Sequence, residues 1–198
     1  MNKNVNEYFR RNPDAYCVNE KGEWRCRSVH NDEFRFNKAK EEAKKAVVPI
    51  EQIISHVNEF LDEIGVMPVD SPKMDPNEID YARLKCDYQL EDERDLIWMK
   101  VTADGFLGVV AQSNDINFDI PQNAEDYNKR GKGGRSWEYN TSGIIVHKLG
   151  KEWNRNFVLV FPLKINDKKY NRHEIETAVG NYLIDKNVPI LDYYSHNY

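Results

Sequence analysis

Side chains able to do chemistry are concentrated in the segment 113–141 of this 198-residue chain. Its first half carries Asp115, Asp119, Glu125 and Asp126. Its second half interleaves Lys129, Arg130, Lys132 and Arg135 with Gly131, Gly133 and Gly134, and Trp137 and Tyr139 follow. Glycine lets backbone N–H groups approach an anion closely, cationic side chains neutralise phosphate, and an indole offers a stacking face to a base. Lys129, Arg130, Lys132, Arg135 and Trp137 therefore suit contact with RNA, DNA or an acidic partner. The pattern is not a Walker loop, which needs GxxxxGK[ST], and it holds a single Arg-Gly stretch rather than an array. The plainer reading is a surface loop whose acidic and basic halves neutralise each other.

A second group is purely acidic. Glu91, Asp92, Glu93 and Asp95, with Asp115 and Asp119 further along, offer carboxylates at roughly phosphate-like spacing to a basic protein groove. Cys17, Cys26 and His30 are the one cluster of metal-ligating types that a hairpin would gather. Structural zinc takes four protein ligands, and a fourth is missing, so two small half-buried cysteines are expected there and no metal. His173 with Glu174 and Glu176 offers acid and base groups, but carboxylates in a first helical turn answer to the helix dipole. Asp192 and His196 have no Ser or Cys nucleophile in a recognisable elbow beside them. Asp104 and Asp115 lack the Glu-x-Lys of a metal-dependent nuclease. No catalytic residue, metal or cofactor is expected from these patterns.

The elements that must position these groups follow from periodicity. Residues 15–18 and 23–26 flank a turn containing Gly22 and read as a hairpin. Residues 31–47, with Ala39, Ala43 and Ala46 among Lys and Glu, read as a surface helix supported by charge pairs three and four apart. Ile50, Ile53, Ile54, Val57, Phe60, Leu61 and Ile64 keep the 3.6-residue period of a second helix, with Gly65 at the place of a left-handed cap. Residues 67–74 read as a connection. From residue 82 the period falls to two: residues 82–90, with Cys86 on the apolar face, predict a strand with one wet face, and 96–103 and 106–112 predict a hairpin about Asp104-Gly105. Residues 143–149 and 157–163 predict another strand pair. Asn171-Arg-His-Glu174 is a capping box, opening a helix whose face is Ile175, Ala178, Val179, Tyr182 and Leu183 and which stops at Asn187. Residues 190–194 add an edge strand. The expectation is one α+β domain over 1–198: a mainly antiparallel sheet of about five strands, with N-terminal helices and a C-terminal helix packed on one face.

Composition sets the outer bounds. Forty per cent apolar, 12% aromatic and 31% charged residues exclude collagen-like, low-complexity and mostly disordered classes. No apolar run approaches a membrane span, the first fourteen residues lack the apolar region of a secretory signal, and three cysteines give no even-numbered framework. A cytoplasmic protein without membrane contact is expected. Charge is divided unevenly: residues 1–50 carry 11 Lys/Arg and 8 Asp/Glu, residues 51–127 carry 5 and 18, and residues 128–198 carry 12 and 7. An acidic middle of net −13 lies between basic ends of +3 and +5. In composition, without a shared motif, the chain resembles the small inhibitors of phages and mobile elements, anti-CRISPR proteins and DNA mimics among them. That resemblance implies a non-enzymatic protein that engages a nucleic-acid-handling partner through an acidic surface. Direct nucleic-acid binding through residues 129–137 is the alternative, and a hydrolase or nuclease is a third.

Overall fold

A computed structural model describes residues 4–10, 33–66, 72–76, 80, 83, 86–87, 95–113, 149–164 and 169–192. Its centre is built from two short stretches that are apolar except for the buried Lys100. Leu96–Val101 (β2) and Val158–Pro162 (β4) are buried at every residue. Such runs are the signature of strands covered on both faces. With Lys73–Met74 (β1), Leu107–Ser113 (β3) and Ile190–Asp192 (β5) they form a five-stranded sheet in the order β1-β4-β2-β3-β5.

Register follows from the hairpin between β2 and β3. Gly105 takes φ +93° in the turn, and Thr102 N–H donates to the Phe106 carbonyl at 2.9 Å. The expected turn at Asp104-Gly105 is thus present. Trp98 stands opposite Ala111 on β3 and Val160 on β4, and Ile97 opposite Gln112 and Phe161. Residues directly opposite share a face, so Trp98, Ala111 and Val160 line one side and Ile97, Gln112 and Phe161 the other. A bulge between Lys100 and Val101 ends the regular ladder.

Among the described residues, the helices with defined ends that accompany the sheet are Val5–Tyr8 (α1), Glu33–Lys45 (α2), Ile50–Glu63 (α3) and Arg172–Asp185 (α4). In α2 the small residues Ala39 and Ala43 and the ring of Phe36 are buried, while Lys44 and Lys45 pair with Glu41 and Glu42 one turn back. In α3, Ile53, Val57, Phe60 and Leu61 are buried at helical spacing. Both long apolar helices end in the same way. Gly65 at φ +80° and Asn187 at φ +61° reverse the chain. Val66 N–H then reaches the Leu61 carbonyl and Val188 N–H the Leu183 carbonyl, at 2.8 and 2.9 Å.

The connection from β4 through α4 to β5 explains the packing of α4. Strand β4 is antiparallel to β2, β2 to β3, and β5 is parallel to β3, so β4 and β5 run the same way. Joining parallel strands requires a crossover. Helix α4 lies against β2 and β3, the two strands it must pass. Its N-terminus carries the expected capping box: Asn171 accepts from the His173 and Glu174 N–H groups, and Glu174 accepts from the Asn171 N–H. Burial of α4 exceeds the expected face, since Glu176, Thr177 and Gly180 are buried along with Ile175, Ala178, Val179, Tyr182 and Leu183.

Three expectations are corrected. Arg83, Cys86 and Asp87 are helical and Cys86 is exposed, so 82–90 is not the strand with a buried cysteine that the alternation suggests. The same sequence places Arg83 four residues before Asp87, and this ion pair forms at 3.4 Å, which suits a helix and not a strand. Residues 73–74, within the expected connection, are a strand, and the Pro72 carbonyl accepts from Val160 N–H. Leu149 is helical and buried, and β4 pairs with β2 and β1. The rest of 143–149 and the 15–26 hairpin lie outside the described residues.

Candidate functional site

Asp95 is the one member of the sequence-derived acidic set among the described residues. It lies just before β2, where its Oδ1 accepts from Arg172 Nη1 at 2.7 Å, and Arg172 Nε donates to Gln112 Oε1. Asp95 thus fastens the start of α4 to the ends of β2 and β3. Next to it, His173 is held below the ordinary histidine pKa by desolvation and by the Arg172 charge, with Asp95 opposing. Glu174 acts as a cap, as expected, and Glu176 is buried within α4. Asp104 lies 3.4 Å from Lys44. Glu91, Asp92, Glu93, Asp115, Asp119, Lys129, Arg130, Lys132, Arg135 and Trp137 lie outside the described residues, as do Cys17, Cys26, His30 and His196.

A different group of residues is brought together where α1, α3 and α4 meet. Tyr8 packs edge-on against Phe60 and Tyr182, with ring centroids at 5.7 and 5.2 Å. Phe60 and Tyr182 are 4.8 Å apart, and Phe9 stacks on Tyr170 at 3.9 Å. Carboxylates edge this aromatic cluster. The Tyr8 hydroxyl donates to Asp185 Oδ2 at 2.9 Å, and the Glu59 charge acts on Tyr182. Desolvation, followed by the nearby charges, drives both phenols above the ordinary tyrosine range: Asp185, Tyr182 and Glu63 act on Tyr8, and Glu59, Glu63 and Asp185 on Tyr182. Both hydroxyls therefore remain protonated near neutrality.

Glu59 and Glu63 on α3 and Asp185 on α4 thus act electrostatically on the same pair of phenols. Lys186 approaches Glu59 at 3.9 Å and lies over the Tyr182 ring. His56 Nδ1 lies 3.7 Å from the other Glu59 oxygen. Elsewhere several described acids have close cationic partners: Glu41 and Asp104 with Lys44, Glu42 with Lys45, Glu51 with Lys73, Glu152 with Lys40 and Asp87 with Arg83. Like charges that act on one pair of groups attract a cationic group. Neither Glu59 nor Glu63 stands among the candidate residues read from the sequence. One signal was available: like charges four residues apart disfavour a helix, so their presence on α3 asks for a reason. Asp185 gave no such signal, being 177 residues from Tyr8.

Among the described residues, no three His, Cys, Asp or Glu side chains are grouped to hold a metal ion, and no helix is long and apolar enough to cross a membrane. No family model matches the chain, and neither a characterised protein nor a solved structure shows significant similarity to it.

Proposed function

We propose that this chain is a non-enzymatic binding protein that engages a nucleic-acid-handling protein through an acidic surface, in the manner of phage and mobile-element inhibitors of the anti-CRISPR or DNA-mimic type. The observation that supports the reading is that Glu59, Glu63 and Asp185, solvent-accessible on two packed helices, act on the same pair of tyrosines. Carboxylates held on rigid helices meet a basic groove without first being ordered, and a groove evolved to hold phosphates is matched to them in charge. Glu91, Asp92, Glu93, Asp115 and Asp119 remain the further acidic candidates of the sequence, whereas Asp95 is committed to Arg172. An exposed thiol at Cys86 suits a reducing, cytoplasmic setting.

The test is binding of the full chain to a panel of nucleases and RNA-guided effectors. The expected result is a complex that weakens with salt, is displaced by duplex DNA and loses about tenfold or more in affinity in the Glu59→Lys, Glu63→Lys variant. A gel shift of RNA or DNA by the chain alone, abolished when Lys129, Arg130, Lys132 and Arg135 become Ala, would instead favour direct nucleic-acid binding through the Gly-rich segment.

A further inference from the structure

An imidazole nitrogen on α3 stands beside an exposed carboxylate without bonding to it. His56 Nδ1 is shielded from solvent and makes no hydrogen bond among the described residues. Gln52 Nε2, one turn earlier, faces His56 Nε2 at 3.4 Å. An amide nitrogen only donates, so Nε2 accepts and the proton of the neutral ring sits on Nδ1. Glu59 Oε2 is 3.7 Å from that Nδ1, beyond hydrogen-bond range. The same carboxylate acts on Tyr182, and its Oε1 lies 3.9 Å from Lys186 Nζ. The titratable groups around this corner are Glu59 and Glu63 on α3, Tyr182 and Asp185 on α4, Lys186 just after it, and Tyr8 on α1, whose hydroxyl is taken up by Asp185.

We infer that His56 is a proton-operated switch on the Glu59 carboxylate: when the ring takes up a second proton from solvent, Nδ1–H captures Glu59 Oε2 and draws the carboxylate away from Tyr182 and Lys186. In the cation both ring nitrogens donate. Gln52 is exposed, so its amide is free to turn and offer Oε1 to Nε2, while Glu59 meets Nδ1. A charge-assisted bond of this kind closes to about 2.8 Å. Histidine changes charge between about pH 5 and about pH 8, a window in which ordinary carboxylates are ionised. The pair cancels the charge that Glu59 offers, so a basic partner is released on acidification. That consequence rests on the acidic-surface reading, whereas the switch itself does not.

Nuclear magnetic resonance of the full chain between about pH 8 and about pH 5.5 tests it. The His56 ring, the Glu59 carboxyl carbon and the Tyr182 ring are expected to shift along one common midpoint. In His56→Gln the Glu59 and Tyr182 steps are expected to vanish, with the amide spectrum at the alkaline end unchanged. Steps that persist in that variant, or a His56 titration that leaves Glu59 unmoved, overturn the inference. Should His56→Gln not fold, Glu59→Gln serves: His56 is expected to titrate while Tyr182 no longer follows it, and a Tyr182 step that survives is equally fatal. With an oligoarginine peptide as the basic probe, wild type is expected to lose about two- to fivefold more affinity across this window than His56→Gln loses. Equal losses overturn the release on acidification. No binding at any pH counts instead against the acidic-surface reading, and the resonances then decide the switch alone.

Discussion

Asn171 shows how much a single side chain decides at the start of α4. Its carbonyl oxygen accepts two backbone N–H groups that the helix cannot satisfy, and Glu174 returns the bond. Asn171→Ala is expected to cost about 1 kcal/mol, measured as a lowered urea midpoint with unchanged slope. This cap, like Gly65, Gly105 and Asn187, was legible because all its partners lie within a few residues. The Arg172 bond to Asp95 was not, since the two are 77 residues apart and nothing local distinguishes Asp95 from the acids before it. The adjacent His173 carries a pH dependence whose sign can be worked out. Its folded pKa lies below the ordinary 6.5, so the unfolded chain takes up the proton first as pH falls. The stability it contributes is complete above that value and is lost on acidification below it. His173→Gln is therefore expected to lose less stability than wild type between about pH 7.5 and about pH 5.5, by a modest margin because the residue is largely exposed. Equal acid losses in the two proteins would contradict this.

At the scale of elements, the hairpin and the two apolar helices were legible because period and punctuation agree. Residues 82–90 were misread because two periods fit one stretch: apolar alternation suggests a strand, while Arg83 and Asp87 at helical spacing suggest a helix. The fit of Trp153 against the hairpin is a tertiary fact that no period encodes. A Cβ on Gly108 would strike the indole ring of Trp153 and crowd Leu149. Trp153 is itself fixed by a bridge to Thr102 and by the bond from Asn154 N–H to the Val101 carbonyl. Gly108→Ala is thus expected to destabilise by about 1–3 kcal/mol, although the residue lies in a strand where alanine is otherwise the better choice. The helical cluster makes a spectroscopic prediction. The folded pKa values of Tyr8 and Tyr182 lie above the ordinary 10, so their stabilising effect is complete below 10 and is lost as pH rises beyond it. In an ultraviolet titration these two phenols are expected to ionise only as the fold opens, and Tyr8→Phe to remove one from the delayed group.

Over the whole molecule, four of the five strands among the described residues were legible, whereas β1 and the order of the strands were not. Apolar runs mark which segments are buried, while the order β1-β4-β2-β3-β5 depends on pairings between segments about sixty residues apart, such as Trp98 with Val160. The core links the sheet and the helical cluster physically. One buried cluster contains Tyr8 and Phe60 as well as Leu159 and Leu191. Helix α4 is the bridge, since it touches β2 and β3 on one side and α1 and α3 elsewhere. If helices and sheet were separate cooperative units, damage at the helical cluster would leave the sheet intact. A shared core predicts otherwise. Phe60 is fully buried and meets Tyr8, Phe9 and Tyr182, so Phe60→Ala removes a large ring that three neighbours cannot replace. The expected loss is about 3–5 kcal/mol. Far-ultraviolet circular dichroism and the fluorescence of Trp98 and Trp153, both buried beside the sheet, are expected to report a single shared urea transition before and after the substitution. The two midpoints would fall together, as one cooperative domain over residues 1–198 requires. Tryptophan signals that keep the wild-type midpoint while the helical signal melts early would divide the chain into two folding units.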